Sequence, residues 1–359
     1  MDKVFLSFDF YGAGNIGDDL MLEGFLNCFE NQEIEFHCCV PRNFTHQQFR
    51  FDKVKFSDYK RREETAGGCK IWVGVGDTPV QVKSGEWFIN RLEADSEMKN
   101  KYNPVIYFIG IGAEKEAVSR KDTFTKILKS VDHIWTRDNA TTSVLTNDFN
   151  LSSEKVTTSS DLANIFLKTI FSDPEVIHGR KYELGFCYYD ENSDTKDLNN
   201  AETFLKKFKK GKILLFGNDV NKKVNFEYAL YEKMFSGIRK FLYRHINIHI
   251  PDYFGKVKTD RLVDHYSECK TVMTSRYHAL LTAAWAGCRV ISIERSSKVT
   301  SLAEELGIKE IRKPITRDKL EQGFNDAETV DRNLLLKLHL NALESVSELK
   351  NAFNKIYKG

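Results

Sequence analysis

The sequence predicts an α/β fold with mostly parallel sheets, arranged as two domains. Short apolar runs alternate along the chain with longer amphipathic segments, which is the pattern of a strand-helix repeat. Several of the runs are continuously apolar, as expected of strands that are buried on both faces of a sheet. The 359 residues, of which 41% are hydrophobic, suffice for two domains that each have a core.

The predicted elements of the first half follow in order. Its strands are Val4–Phe10, Ile71–Val75, Val105–Ile111 and His133–Thr136. Its helices are Asp19–Glu30, Arg120–Ser130 and Ala140–Asn147. Apolar residues at helical spacing predict these helices, and Asp138 or Asn139 is expected to cap the last of them.

The second half repeats the pattern. Its predicted strands are Tyr182–Tyr189, Lys212–Phe216, Ile246–Ile250, Thr271–Thr274 and Arg289–Ile293. Its predicted helices are Asn199–Lys209, Phe226–Tyr243, Thr259–Cys269, Tyr277–Ala286 and Val299–Leu306. Gly287 and Gly307 directly follow the last two helices and are expected to end them.

A change of pattern at Phe171–Lys181 predicts the boundary between the domains. This stretch, FSDPEVIHGRK, carries a proline, a glycine and several charges but little apolar pattern. We therefore predict one domain at 1–172, a second at 173–330, and a helix at 331–359 that could cap either half. Leucines recur along this last segment, as they do in an amphipathic helix.

Composition excludes several classes of protein. A formal net charge of +2 argues against a dedicated nucleic-acid binder. No apolar run approaches the length of a membrane span, and the first residues do not resemble a signal peptide. The seven cysteines are scattered, with neither a CxxC pair nor zinc spacing. We therefore expect reduced, buried thiols, a cytoplasmic location and no metal.

A cluster of lysines is a candidate for contact with an anionic surface such as a membrane. Its members are Lys206, Lys207, Lys209, Lys210 and Lys212. A solvated helix end is the simpler interpretation of such a run.

Ligands of doubly wound sheets bind beyond the carboxyl ends of the strands, so the loops that follow each strand are examined first. The first of these loops, YGAGNIGDD, leads into a helix and carries Gly12, Gly14 and Gly17. Glycines let the backbone approach a ligand closely, but neither a P-loop nor a complete dinucleotide fingerprint is present. The polar pair Asn15 and Asp18 favours a functional loop over a purely structural turn.

Two further loops of the first half carry candidate side chains. VGVGDTP follows the second predicted strand and contains Asp77. TRDNATTSVL follows the fourth and places Arg137 just before a helix. Arg137 could form a surface ion pair or hold an anion in the cleft, and its position alone does not decide between them.

The strongest candidate site lies in the second half, at two successive strand-to-helix junctions. Arg276 and His278 stand at one junction, and Ser296, Ser297 and Lys298 stand at the next. Neighbouring parallel strands lie about 4.8 Å apart, so the two junctions should be adjacent. Cations, hydroxyls and two helix N-termini together predict a site for a small anion that carries phosphate or carboxylate. His278 is the group there that can move protons near neutral pH.

These residues resemble the signature of the polysaccharide pyruvyl transferase family. SRYHALLTAAWAG followed by ISIERSSKVTSLAEELGI is similar to its C-terminal block, which is the most specific part. GNIGDD resembles its opening loop, TRDNATTSVL its Arg-Asp/Glu helix start, and SSDLANIF an Asp-containing segment that closes its first half. The resemblance runs in order from about residue 1 to about residue 310.

The resemblance implies two Rossmann-like domains that face a central cleft, as in glycosyltransferases of the GT-B type. It implies transfer of pyruvate from phosphoenolpyruvate (PEP) to two hydroxyls of a sugar in a cell-surface polysaccharide or its precursor. The product is a cyclic ketal and phosphate is released. PEP is then the donor substrate, and neither a metal nor a cofactor is required. Residues 1–172 would be the acceptor side and residues 173–330 the PEP side.

By the resemblance, PEP would be bound by Arg276, His278, Lys298 and, from the first domain, Arg137. The adjacent Ser296 and Ser297 complete this PEP-binding set. The chemistry of ketal formation then makes His278 the general acid, and Arg276 and Lys298 would stabilise the departing phosphate. The acceptor-binding set comprises Gly14, Asn15, Gly17, Asp18 and Asp77. Asp18 or Asp77 could orient or deprotonate an acceptor hydroxyl.

Three other interpretations stay open at this point. A GT-B glycosyltransferase that uses a nucleotide sugar would share the fold, because fold does not fix function. A catalytically inactive binding protein could also retain it, although the joint presence of an Arg, a His and a Lys argues against that. A dehydrogenase depends on the glycine loop alone and ranks last. The acceptor could be free, nucleotide-linked or lipid-linked, the last of these at the inner face of a membrane, and the oligomeric state is open.

Overall fold

The computed structural model describes residues 2–40, 45–82, 85–172, 179–190, 195–208, 212–220, 227–229, 231 and 246–358. The chain forms two compact units. Unit 1 comprises Met1–Gly12, Asp18–Phe166 and Lys337–Gly359, and unit 2 comprises Ala13–Gly17 and Leu167–Leu336. Each unit contains its own parallel sheet, so the predicted α/β class with parallel sheets is confirmed.

Unit 1 is built on seven parallel strands in the order β3-β2-β1-β4-β5-β6-β7. The strands are β1 Asp2–Leu6, β2 Ile34–Val40, β3 Val54–Asp58, β4 Ile71–Val75, β5 Val105–Ile111, β6 His133–Thr136 and β7 Val156–Thr158. The helices are α1 Ile16–Asn27, α2 Thr45–Arg50, α3 Arg62–Gly67, α4 Glu86–Tyr102, α5 Lys121–Ser130, α6 Asn139–Ser143 and α7 Ala163–Ile170. The core is aromatic-rich, and Phe5 and Trp72 pack edge to face across β1 and β4.

Unit 2 is built on a second parallel sheet with the order β10-β9-β8-β11-β12-β13, and β14 pairs antiparallel with β12. Its strands are β8 Tyr182–Cys187, β9 Ile213–Phe216, β10 Asn247–His249, β11 Cys269–Thr274, β12 Arg289–Ile293, β13 Glu310–Ile311 and β14 Glu328–Thr329. Its helices are α8 Thr195–Leu205, α9 Tyr277–Trp285, α10 Ser297–Glu305 and α11 Arg317–Asn325. Every residue of α9 is buried, so this helix is central to the unit.

The long C-terminal helix α12, Arg332–Lys358, packs against unit 1 along most of its length. Trp135 donates its indole N–H to Glu348 at 2.7 Å, and Tyr357 donates its hydroxyl to the Lys3 carbonyl at 2.6 Å. These contacts tie the end of the chain to β6 and β1.

The predicted strand Val4–Phe10 was wrong at both ends, because β1 begins at Asp2 and ends at Leu6. Phe8 and Phe10 are apolar for another reason: both rings pack against Phe88 of α4, with ring centroids 5.6 and 5.2 Å apart. An apolar run therefore continues past the end of its strand where loop side chains are themselves packed in a core.

The single helix predicted at Thr259–Cys269 was also wrong. The segment forms two 3-10 turns, Thr259–Leu262 and Asp264–Glu268, separated by Val263 with φ −127° and ψ 0°. A β-branched residue in that conformation interrupts a helical ladder.

Two other predicted helices need revision. α8 begins earlier than the predicted Asn199–Lys209, at Thr195, and ends at Leu205. α6 is followed by a π-helical turn, Val144–Asp148, rather than continuing as one α-helix. Of the predicted helix Phe226–Tyr243, only residues 227–229 and 231 are described, and the rest of that prediction lies outside the described residues.

Several smaller expectations are confirmed. Asp138 caps α6 by accepting from the Thr141 backbone N–H at 2.6 Å. Gly287 and Gly307 follow α9 and α10 with φ of +66° and +64°, the left-handed conformation that glycine adopts at low cost. All seven cysteines are free thiols, and six of them are buried. None of the helices in the described part of the chain has the length and apolar character needed to cross a bilayer.

Candidate active site

Each sheet has a point where the strand order reverses, between β1 and β4 in unit 1 and between β8 and β11 in unit 2. Loops beyond the carboxyl ends of such strands form the usual ligand site of this architecture. In unit 2 Ser275 joins the loops that follow β8 and β11. It donates its hydroxyl to the Tyr189 carbonyl at 2.7 Å and accepts from the Tyr189 N–H at 2.9 Å. The Tyr189 ring is thereby fixed beside the start of α9.

Arg276 is the N-cap residue of α9 and lies at this reversal point. Its Nε donates to the Glu227 carboxylate at 2.5 Å, and Glu227 is fully buried. Burial opposes the charged guanidinium, but the carboxylate outweighs it and raises the pKa of Arg276 above its usual range. Arg276 Nη2 and Glu227 Oε2 are buried and have no hydrogen-bond partner among the described residues. A buried N–H of a cation without an acceptor is suited to an anionic ligand.

Arg295 is a second guanidinium at the same ring, and sequence reasoning missed it. Arg276 and Arg295 lie 5.2 and 5.3 Å from the centroid of Tyr189. Arg295 is the second residue after β12 and directly precedes the predicted Ser296 and Ser297, so its position was the signal that could have found it. Two cations at one aromatic ring concentrate positive charge at the carboxyl edge of this sheet.

His278 lies in the first turn of α9 and is 8% exposed. Its ring packs at 5.0 Å against the ring of Tyr277. A Cβ added to Gly17 would stand only 2.0 Å from His278 Nδ1, so the glycine backbone lies directly against the imidazole. The structure therefore brings the predicted glycine loop and the predicted general acid together within unit 2.

The loop 13–17 is held in unit 2 by backbone pairing with the end of β9. The Ile16 N–H donates to the Asn218 carbonyl at 3.0 Å, and the Val220 N–H donates to the Gly14 carbonyl at 2.8 Å. Asn15 Oδ1 accepts from the Gly17 N–H at 3.1 Å and from the Asn218 amide at 3.4 Å. Asn15 therefore shapes the loop, and Asn218 is a supporting residue that sequence reasoning missed.

Ser296, Ser297 and Lys298 begin α10, which follows β12. β12 pairs directly with β11 in parallel, with Thr274 opposite Ser292, so the two predicted junctions are on neighbouring strands. Ser296 is the N-cap residue, but its hydroxyl makes no capping bond and has no partner among the described residues.

The remaining predicted site residues belong to unit 1. Arg137 forms an ion pair with Asp138, but at 4% exposure it is buried rather than on the surface. Its Nε donates to Asp138 at 3.3 Å, and its Nη2 occupies the space that a Cβ on Gly112 would fill, at 2.4 Å. Asp18 is buried in the first turn of α1. Asp77 has a φ of +61°, and its carbonyl accepts from the Gly112 N–H at 2.7 Å.

No group of three His, Cys, Asp or Glu side chains among the described residues is placed to hold a metal ion.

Two units that each carry a parallel α/β sheet are the architecture of the GT-B type, and solved structures of this class resemble the chain. Anabaena HepE in complex with UDP and glucose has a TM-score of 0.57 at 10% identity, covering 97% of this chain and 95% of that one. A putative UDP-N-acetylglucosamine 2-epimerase from Listeria monocytogenes gives 0.63 at 10%, covering 100% and 97%. S. aureus MnaA with UDP gives 0.63 at 11%, covering 100% and 98%. At these identities the likeness shows the fold alone.

The chain belongs to the polysaccharide pyruvyl transferase family, whose model matches residues 15–297. The match spans both units and includes Arg276 and His278. Membership makes the protein a transferase that acts on a saccharide. Among curated protein sequences, none matches the chain.

Proposed function

We propose that this protein transfers pyruvate from PEP to two hydroxyls of a saccharide, giving a cyclic ketal and phosphate. The observation that carries the proposal is the charge arrangement around Tyr189. Arg276 and Arg295 both face this ring, and a buried N–H of Arg276 has no acceptor among the described residues. PEP carries a carboxylate and a phosphate on one small molecule, which suits two guanidinium groups at a single edge.

The N-terminus of α10 adds to this donor site. The unpartnered Ser296 hydroxyl and the first backbone N–H groups of the helix would meet phosphate oxygens, because anions bind favourably at helix N-termini. Lys298, in the same first turn, supplies a further positive charge. We assign Ser297 to the PEP-binding set as well, and also Arg137, as the resemblance implies.

The proposed reaction balances without any further reactant. A proton is added to the methylene carbon of PEP, which becomes the methyl group of the ketal. One acceptor hydroxyl bonds to the central carbon, the bond from that carbon to the phosphate oxygen breaks, and a second hydroxyl closes the ring. The two hydroxyl protons are accounted for by the new methyl group and by the released phosphate.

Three residues carry this chemistry in the proposal. His278 delivers the proton to the methylene carbon, and its ring orientation is set by the contact with Gly17. Arg276 and Lys298 stabilise the charge that develops on the departing phosphate. On the acceptor side, Asp18 or Asp77 orients or deprotonates a hydroxyl, and the glycine loop lets the sugar approach the backbone.

We place the reaction in the cytoplasm, on a free, nucleotide-linked or lipid-linked precursor. For the last case, the lysine cluster is a candidate membrane contact. Lys206, Lys207 and Lys212 each lie within 4.0 Å of a carboxylate, on Glu202, Glu321 and Glu183 respectively, while Lys209 and Lys210 lie outside the described residues. Pairing with carboxylates weakens the attraction of these three lysines to a membrane, so any contact should be salt-sensitive.

The direct test is mass spectrometry of saccharide acceptors after incubation with PEP. The proposal expects products that have gained the mass of pyruvate less water, together with an equal amount of phosphate. A thermal shift with PEP and with UDP separates this function from a glycosyltransferase. The second function is worth testing because HepE and MnaA, which share the fold, were solved with UDP. Stabilisation by UDP and not by PEP would contradict the proposal.

A further inference from the structure

Two exposed aromatic side chains stand at the carboxyl edge of the sheet in unit 1. Tyr59 directly follows β3, and Trp87 is the second residue of α4, the helix that follows β4. Trp87 is 57% exposed and Tyr59 is 39% exposed. This edge is where parallel sheets of this kind bind ligands, and the phosphate-directed chemistry described above does not involve either ring.

The two rings are linked by one buried cation. The Arg91 guanidinium carbon lies 4.9 Å from the centroid of Tyr59 and 5.0 Å from the centroid of Trp87. The Arg91 side chain is only 5% exposed and is ion-paired with Asp9. Both rings are therefore supported from the protein interior by a charge that cannot move freely, and this fixes them before a ligand arrives.

Gly85 provides the space for this arrangement. A Cβ on Gly85 would lie 2.7 Å from Cδ1 of the Trp87 indole, so the indole folds back over the backbone of Gly85. The rim of the pair is charged: Arg120 donates to the Glu86 carboxylate at 2.9 Å, and the Glu86 side chain is 72% exposed. The flat rings of Trp87 and Tyr59 thus lie next to an exposed carboxylate that can accept hydrogen bonds.

We propose that Trp87 and Tyr59, here called the aromatic pair, bind a pyranose ring of the acceptor saccharide. A pyranose has a face of C–H groups that buries well against an aromatic ring and a perimeter of hydroxyls that needs polar partners. The aromatic pair and the Glu86 rim provide these two surfaces side by side. The proposal depends on the saccharide part of the proposed function and not on PEP.

Tryptophan quenching tests binding without turnover. The chain has four tryptophans, of which Trp72 and Trp285 are 0% exposed, Trp135 is 4% exposed and Trp87 is 57% exposed. Collisional quenching by iodide therefore reports mainly on Trp87, and Trp87→Phe should remove most of it. Titration with methyl β-galactoside, methyl β-glucoside and lactose should protect the wild-type protein, in the roughly millimolar range expected of a single sugar contact.

Quenchable Trp87 fluorescence that none of these saccharides protects would overturn the proposal. Protection that persists undiminished in Tyr59→Ala would also contradict it, because the sugar would then bind elsewhere. Both outcomes are independent of PEP. Failure of the proposed function, in contrast, would appear as saccharide protection without any pyruvyl transfer.

Steady-state kinetics provide the second measurement. Trp87→Ala and Tyr59→Ala should each raise KM for the saccharide about 10-fold and leave KM for PEP unchanged, since an aromatic contact of this kind is worth about a kilocalorie per mole or more. Phe49→Ala is the matched control, because Phe49 is also aromatic and 40% exposed in unit 1. Equal effects on both KM values, or an effect of Phe49→Ala as large, would contradict the assignment.

Discussion

The two sheets have the same strand order around their reversal points, but the charges there are balanced differently. In unit 1, Asp9 follows β1 and lies 2.8 Å from Arg62, which also reaches Asp95 at 2.9 Å, and Arg91 pairs with the same Asp9. The formal charges of these two arginines and two aspartates cancel. In unit 2, Arg276 is paired with Glu227, and Arg295 adds a second cation at Tyr189.

Under the proposed function, this difference would divide the work of the transferase between the two units. The ion pairs of unit 1 balance in charge and hold aromatic side chains in place, although Arg91 Nε and Asp9 Oδ1 have no hydrogen-bond partner among the described residues. In unit 2 the second cation leaves charge that a small anion can neutralise. We therefore expect topology to select the place of each site and charge balance to select its ligand.

The largest expected effect comes from His278. His278→Gln removes the proposed proton donor from the cationic edge, so kcat should fall by about 10²- to 10⁴-fold. The imidazole touches the Gly17 backbone, and a glutamine fills similar space, so the thermal midpoint should change little. Pyruvyl transfer measured with PEP checks the first expectation and a melting curve the second. His339→Gln in α12 is the control, and equal kcat values for the two variants would contradict the role.

The next prediction concerns Asp9 in the buried ion-pair network of unit 1. Burial raises the pKa of Asp9 from 3.8 to about 6, although Arg62 and Arg91 counteract it. A carboxyl with a raised folded-state pKa stabilises the fold most below its unfolded pKa, and this contribution disappears as the pH rises through the folded pKa. Relative to Asp9→Asn, the wild-type protein should therefore lose roughly 2 kcal/mol between about pH 4 and about pH 7.

Chemical unfolding of both proteins across this pH range measures that difference. Asparagine cannot ionise, so any pH dependence shared by the two proteins belongs to other groups and cancels. A difference in unfolding free energy that stays constant with pH would show that Asp9 remains ionised throughout. The strand-order reversal points of the two sheets would then differ in net charge, and burial would not oppose the ionisation of Asp9.

The sequence was sufficient for the parts of the site that lie close together in the chain. Arg276, His278 and Lys298 could be placed because each follows a strand and begins a helix, and β11 and β12 are consecutive strands that pair directly. The α/β class followed from the same local pattern. Gly17 could be placed in a loop, but its contact with His278 joins residues that are far apart in sequence.

The residues that the sequence did not reveal depend on distant partners. Glu227 meets Arg276 across 49 positions, and Asp9 meets Arg91 across 82. Nothing in the local pattern of either acid distinguishes it from a solvated surface carboxylate. Arg137 was ambiguous for the same reason, because its burial depends on the space beside Gly112. Charge balance at a site is therefore a property of the folded packing, which the local sequence pattern does not show.

A pair of glycines in α1 tests whether the loop orients the imidazole. A Cβ on Gly17 would stand 2.0 Å from the His278 ring, and a Cβ on Gly24 would stand 2.0 Å from the Leu162 backbone carbonyl. A side chain can turn away, but a backbone carbonyl cannot. Gly17→Ala should therefore lower kcat by about 100-fold, since a small misplacement is costly in catalysis, while stability changes little. Gly24→Ala should lower the thermal midpoint instead, and the reverse pattern would contradict the contact.

The smallest expected effect concerns Arg295, the second cation at the carboxyl edge of the unit 2 sheet. Arg295 lies at the Tyr189 ring beside Arg276, so we expect it to add positive charge to the donor site. Arg295→Met keeps much of the side chain's length and removes the charge. KM for PEP should rise about 10-fold, because a charge-assisted contact is worth about 1.5 kcal/mol or more, and kcat should hold. Arg261→Met, at an exposed ion pair with Asp264, is the control. If both variants leave KM for PEP unchanged, Arg295 does not contribute to PEP binding. The positive charge that binds PEP would then come from Arg276 and Lys298 alone.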